Sequence, residues 1–327
     1  MKKRVLLLKP LYHEAGEKEL SQEVQVTIAA RLDEDSLLEQ LRVVEGAFVP
    51  APFFMNEMMI IAGSKLEVIC GAGVGDNIDL NAATQRGIPV VYDGPGGGGD
   101  SVAEHVIGLM LCLVKNLIRG HNALVEDGNY DVRYLFHGTE LKGKILCVIG
   151  LGGVGKALSR KCHFGLEMSV IGYDPYLEKV DSFIRLVPDI STVFKEADFV
   201  SIHVPLTSEN RKLIGINQMA LMKRSAYFIN TSRGGVIDEK ALCAILQEKR
   251  IAGAALDVFD PEPPEKDNPL FSMTNVVVTP HIAGMTEETL RETSLGIAMQ
   301  MLKVLRGEEA DFILNPDFVR FKKKGAK

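Results

Sequence analysis

No apolar run in this sequence approaches the ~18 residues that a membrane-spanning helix needs. Met1-Lys2-Lys3-Arg4 followed by Val5-Leu6-Leu7-Leu8 imitates a secretion signal. The run stops at Lys9-Pro10, too soon for such a signal, and is read instead as a first β-strand. The cysteines (Cys70, Cys112, Cys147, Cys162 and Cys243) contain no C-x-x-C pair. Most sit in apolar stretches such as Lys144-Ile145-Leu146-Cys147-Val148, so they are expected as reduced core thiols of a cytoplasmic protein, with no metal site. Positive charge is also lacking: the formal net charge is −6, which argues against a nucleic-acid surface. Lys322-Lys323-Lys324 reads as a solvated tail.

What is present is ordinary globular composition, with 46% hydrophobic and 24% charged residues over a 327-residue chain long enough for two domains. Short apolar runs alternate with amphipathic stretches. Strands are expected at Val5–Leu8, Val24–Ile28, Gly46–Val49, Val68–Cys70, Pro89–Tyr92, Ile145–Ile149, Ser169–Gly172, Phe199–His203, Tyr227–Ile229, Gly253–Leu256 and Val276–Thr279. Helices are expected at Asp35–Val43, Val102–Leu124 and Glu239–Glu248, among others. That alternation predicts an α/β protein with parallel sheets covered on both faces. The stretch "YDGPGGGGDSVAEH" breaks the pattern. Gly96 to Gly99 read as a crossing between domains, or else as a disordered tip, and Ser101-Val102-Ala103-Glu104 reads as a capping box opening the next helix.

"KILCVIGLGGVGKALSR" holds Gly150-x-Gly152-x-x-Gly155 between a strand and a helix. A second strand follows and ends in Asp174, at the spacing expected of a carboxylate that binds an adenosine ribose. Gly150 permits the tight turn, Gly152 lets backbone N–H groups reach a pyrophosphate, and Gly155 lets the helix pack on the sheet. The bland alternatives are a glycine turn made for packing and an aspartate that only caps its own turn.

Three later stretches fall at carboxyl ends of strands, where open α/β sheets bind ligands. "NTSRGG" carries Arg233, a fork of donors suited to a carboxylate. "LDVFDPEPP" carries Asp257 and Glu262, and "VVVTPHIAG" carries His281, which can exchange a proton near neutral pH. Glu262, if bonded to His281, orients the ring and raises its pKa. Each has a plainer reading: a structural ion pair for Arg233, a solvated loop for Glu262, a strand-end cap for His281. Together, a dinucleotide site, a carboxylate clamp and an acid/base spell reversible oxidation of a 2-hydroxy acid.

These motifs, from "CGAGVGDNIDL" through "TPHIAGMTEET", resemble the D-isomer-specific 2-hydroxyacid dehydrogenase family, which includes D-3-phosphoglycerate, D-lactate and D-glycerate dehydrogenases. The resemblance implies a catalytic triad of Arg233, Glu262 and His281, and NAD as cofactor. It implies cofactor contacts from Gly150, Gly152, Gly153, Val154, Gly155, Asp174, Val204, Pro205, Thr207, Thr231, Ser232, Asp257 and Gly284. It implies that the substrate carboxylate meets backbone N–H groups at Gly73, Val74 and Gly75 as well as Arg233. It further implies two Rossmann-like domains, the NAD-binding domain (101–284) being inserted into the substrate-binding domain (1–100 and 285–327), and a homodimer formed through the helix at Val102–Leu124. Phe53 and Phe54, where relatives place substrate-contacting loops, are expected to pack in the core. Formate dehydrogenases share the scaffold but carry Gln where Glu262 stands. Phosphite dehydrogenases and dinucleotide-sensing corepressors keep the triad; a corepressor is expected to carry long unstructured extensions, and no low-complexity segment occurs.

Overall fold

The computed structural model describes residues 2–50, 53–71, 75, 77–94 and 98–321. The chain divides into two compact units, Met1–Gly97 with Thr286–Lys327, and Gly98–Met285.

In the first unit, β1 (Arg4–Leu7), α1 (Glu14–Glu23), β2 (Gln25–Ile28), α2 (Glu34–Leu41), β3 (Gly46–Val49), α3 (Glu57–Ala62), β4 (Val68–Gly71), α4 (Leu80–Gln85) and β5 (Val90–Val91) alternate. The strands form one parallel sheet in the order β2-β1-β3-β4-β5. Successive residues serve opposite faces, as a pleated strand requires. Leu6, Ala47, Val49 and Ile69 pack on one side; Val5, Leu7, Phe48 and Val68 pack on the other, against the returning C-terminal helix. Phe53 packs against this core. Phe54 does not: it is 55% exposed, because Met55, which bridges to Ile78, takes the inward place and alternation turns its neighbour out.

The second unit runs α5 (Gly99–Val114), α6 (Leu117–Val125), β6 (Ile145–Ile149), α7 (Gly153–Leu166), β7 (Ser169–Tyr173), β8 (Ile184–Leu186), α8 (Ile190–Glu196), β9 (Phe199–Ile202), α9 (Ile216–Met219), β10 (Tyr227–Asn230), α10 (Glu239–Gln247), β11 (Gly253–Leu256) and β12 (Val276–Val278). Then α11 (Glu287–Leu305), capped by the Thr286 hydroxyl, returns to the first unit. All seven strands are parallel, ordered β12-β11-β10-β9-β6-β7-β8. The direction of winding reverses between β6 and β9, so the loops leaving those strands diverge and open a crevice. Cys147 and Ile149 of β6 face a core with α8 and α10, while Leu146 and Val148 face one with α5 and α7.

Two further local expectations fail, and one strand was not expected, each for an identifiable reason. The helix expected over Val102–Leu124 is two helices bent by 62°, because Asn116 adopts a left-handed conformation (φ 53°) that asparagine tolerates. The carbonyl of Val114 instead accepts the Thr139 N–H at 2.9 Å, so returning chain terminates α5. The Ser101 capping box does not form. Gly98, at φ 85°, caps α5 without a side chain, and the Ser101 hydroxyl donates to the Ala283 carbonyl at 2.7 Å. The edge strand β8 escaped notice because Arg185 interrupts its three residues. All five cysteines are free, and Cys70, Cys147 and Cys162 are buried. Gly96, Gly97 and Lys322-Lys323-Lys324 lie outside the described residues. Among those described, no single helix is long and apolar enough to cross a membrane, and no His/Cys/Asp/Glu cluster could hold a metal ion.

Candidate active site

The turn after β6 is built by its glycines. Gly150 sits at φ 90°, and a Cβ there would lie 2.4 Å from the His203 carbonyl oxygen. At Gly155 a Cβ would lie 2.0 Å from the Gly150 carbonyl oxygen, so only glycine lets α7 start this close to its own strand. Gly152 and Gly153 differ in kind, since a Cβ at either meets nothing within 4 Å. Gly152 caps α7 without a side-chain hydrogen bond, so no capping side chain takes up the first-turn N–H groups at the positive end of this 14-residue helix. Asp174 closes the other side of the turn: Oδ2 accepts the Leu151 N–H and Oδ1 the Tyr176 N–H, each at 3.0 Å. It caps its own turn and braces the glycine loop together, with lone pairs left to accept ribose hydroxyls. After β9, Val204-Pro205 lead into a turn knotted by Asn210, whose side chain accepts the Thr207 N–H at 2.7 Å. After β10, Thr231 Oγ1 is buried and meets no hydrogen-bond partner among the described residues. A buried hydroxyl without a partner among the described residues, a helix start that no side chain caps and a braced carboxylate together fit a dinucleotide lying across the β6/β9 crevice.

Arg233 stands beyond Asn230, a fully buried residue that ties the segment down. The Asn230 amide donates to the Arg233 carbonyl at 3.0 Å, and its Oδ1 accepts from the Ser232 N–H and hydroxyl. One guanidinium nitrogen donates to the Ser232 carbonyl at 2.8 Å. Among the described residues no carboxylate pairs with Arg233, so the structural ion pair is not there. The next residue, Gly234, allows the Arg233 segment to lie on the chain leading to Glu262, since a Cβ would come within 1.9 Å of the Phe259 carbonyl oxygen. Arg211 pins that same chain through Asp260, 2.7 Å away.

His281 follows β12 in the left-handed region (φ 56°). Its Nδ1 lies 2.6 Å from Glu262 Oε1, with the two side chains 46% and 37% exposed. The hydrogen bond to Glu262 raises the imidazole pKa; burial and the charge of Arg233 oppose it, and the net direction is upward. Asp257 is fully buried, and its oxygens accept from the Thr279 hydroxyl, the Ile282 N–H and the Ala283 N–H, the last two at 2.9 Å. Its carboxylate thereby holds the loop that carries His281. Gly284, one residue further on, has open space where a Cβ would stand. Of the substrate-loop residues, Gly75 adopts φ 71° in the first unit; Gly73 and Val74 lie outside the described residues.

The sequence reading missed Asn230, Asn210 and Arg211. For Asn230 a signal existed: an asparagine closing a strand before two hydroxyl residues is an Asx-turn pattern. Arg211 had none, because its partner is 49 residues away. His203 shows the opposite case, a titratable group at the crevice that stays neutral, its pKa pushed down to about 3 by burial.

Residues 107–283 match the D-isomer specific 2-hydroxyacid dehydrogenase, NAD binding domain. D-3-phosphoglycerate dehydrogenase of Methanocaldococcus jannaschii is 44% identical over 95% of this chain, which spans 59% of that relative's length. Hydroxypyruvate reductase of Thermotoga maritima is 36% identical over 92% of this chain and 98% of its own. Among solved structures, the holo form of Rhodotorula graminis D-mandelate dehydrogenase superposes with a TM-score of 0.86 at 25% identity, covering 95% of this chain and 97% of its own.

Proposed function

Because the chain belongs to the D-isomer specific 2-hydroxyacid dehydrogenase family, we propose that it is an NAD-dependent oxidoreductase interconverting a D-2-hydroxy acid and the matching 2-keto acid. The observation that carries this reading is the 2.6 Å His281–Glu262 contact, joined to an arginine, Arg233, that no carboxylate pairs with among the described residues.

Arg233 offers a planar pair of donors to the substrate carboxylate. Glu262 accepts at Nδ1 of His281, which therefore carries a proton there and exchanges its other proton at Nε2. In reduction, Nε2 gives its proton to the oxygen developing at C2; in oxidation it takes the proton back. The two neighbours of His281 work against each other until substrate arrives. Arg233 destabilises the imidazolium, Glu262 stabilises it, and a bound carboxylate neutralises Arg233 so that the proton is held more firmly. Gly150, Gly152, Gly153, Val154 and Gly155 would hold a pyrophosphate and Asp174 the adenosine ribose. Val204, Pro205, Thr207, Thr231, Ser232, Asp257 and Gly284 would line the way to the nicotinamide. When bound, the dinucleotide supplies the hydride acceptor for oxidation and the donor for reduction.

A homodimer through the α5–α6 region belongs to the same reading. No residue of α6 is buried, and Leu117, Ile118, Leu124 and Val125 are 52%, 44%, 51% and 67% exposed. Apolar side chains gathered like this mark an interface.

Loss of NADH absorbance with a panel of 2-keto acids tests the activity. Turnover with at least one is expected. Tight NADH binding without any turnover would overturn the enzymatic reading in favour of a dinucleotide-sensing role, and oxidation of phosphite alone would redirect it to that substrate.

A further inference from the structure

Behind the His281 loop lies a polar chain of which the mechanism above uses only Asp257. Asp257, buried completely, has as a carboxylate no proton to give, so at 2.5 Å the Thr279 hydroxyl must donate to it. That hydroxyl has a single proton. The same Thr279 Oγ1 lies 3.0 Å from His105 Nε2, so His105 must be the donor there and must carry a proton at Nε2. His105 and Ser101 stand four residues apart on one face of α5, and the Ser101 hydroxyl donates to the Ala283 carbonyl at 2.7 Å. One helix face thus grips the His281 loop at both ends, Thr279 and Ala283, while Asp257 holds it from the sheet side. The residue between these anchors, His281, sits at φ 56°, which a non-glycine residue keeps only when its surroundings fix it.

We propose that His105 is a positioning residue for proton transfer at His281. Its Nε2–H orders the Thr279 hydroxyl toward Asp257, and this His105–Thr279–Asp257 chain fixes the loop in which His281 meets Glu262. The proposal rests on the reading of His281 as the acid/base. A histidine serving only to fill space at α5 would need no particular proton on Nε2 and would be replaceable by an apolar side chain of similar bulk.

Kinetics and nitrogen NMR of the full chain test it. His105→Leu removes the donor, and His105→Gln replaces it with an amide N–H of similar reach. His105→Leu is expected to lower kcat for keto-acid reduction roughly tenfold or more, the scale set by small misplacements of a reacting group. The KM for NADH should move less than kcat, since His105 is not itself part of the dinucleotide site, and His105→Gln should recover most of the loss. Thr279→Val breaks the chain from its other side, and with His105→Leu it should cost no more than either alone. Additive losses, an unchanged kcat in His105→Leu, or a Gln variant as slow as the Leu variant would each overturn the proposal. NMR separates this from failure of the functional reading, because it needs no turnover. The unsubstituted protein should show His105 protonated at Nε2, and the ring signals of His281 should move in His105→Leu but stay in place in His105→Gln. A His105 tautomer protonated only at Nδ1, or His281 signals indifferent to both changes, would sink it even in an active enzyme.

Discussion

His281 and Glu262 meet at 2.6 Å although 19 residues separate them in sequence and neither is buried. An exposed pair of this kind contributes little to folding; what it changes is the ring's affinity for a proton. The His281 pKa is raised from the ordinary histidine value, with the Glu262 hydrogen bond the largest cause. Reduction needs the imidazolium, so activity should persist to higher pH in the unsubstituted protein than in Glu262→Gln. The check is a pair of pH–rate profiles for kcat/KM, and superimposable alkaline limbs would refute the pairing's role.

Arg233 and His281 should fail differently. Arg233→Ala is expected to lose most substrate binding and turnover while NADH still binds, as its guanidinium faces no partner carboxylate within the described protein. His281→Ala should lower turnover by the ~10²–10⁴ typical of a lost general acid. Steady-state kinetics alongside NADH fluorescence titration distinguishes the two, and near-normal turnover in His281→Ala would remove it from the proton-transfer step.

Asp174 should make the protein prefer NADH to NADPH. A 2′-phosphate beside this carboxylate meets like charge and forfeits the ribose hydroxyl donors. The following residues, Pro175, Tyr176, Leu177 and Glu178, offer no cation. The ratio of kcat/KM values with one keto acid should favour NADH at least roughly tenfold, equivalent to about 1.4 kcal/mol. Parity would mean that Asp174 serves only its two backbone partners.

The same substitution at two glycines of one loop should have opposite signatures. In Gly155→Ala the new methyl collides with the Gly150 carbonyl, and relaxing that overlap costs about 1–3 kcal/mol, enough to lower Tm by several degrees. In Gly152→Ala the methyl meets no protein atom, so Tm should hold while NADH affinity falls. Calorimetry and cofactor titration of both variants decide it; an undisturbed affinity in Gly152→Ala would move the pyrophosphate away from α7.

Much of this was legible in the sequence because its signals are local. Unbroken runs such as Ile145–Ile149 can only be strands covered on both faces, and the glycine spacing names a turn whose steric need the backbone then displays. Arg233, Glu262 and His281, the proposed triad, stand out in the sequence because each lies downstream of such a run. What escaped was set by tertiary contact. Asn116 ends a helix that the apolar pattern carries straight on, since the carbonyl of Val114 is captured by residue 139. Ser101 has the residues of a capping box, but its hydroxyl found the Ala283 carbonyl 182 residues away. The outward turn of Phe54 depends on a bridge from Met55 to Ile78.

The bend at Asn116 has a thermodynamic corollary. By turning the chain through 62°, it lifts α6 off the core that α5 helps to fill, and nine residues are left to stay helical with nothing buried beneath them. A helix that short is marginal in water by itself, and in its own chain α6 leans on little more than the following segment, where Arg119 lies over the Phe136 ring. If a second copy covers Leu117, Ile118, Leu124 and Val125, as the proposed dimer requires, folding of α6 and association are coupled. The unfolding temperature would then climb with protein concentration, as mass action requires of a protomer completed by its twin.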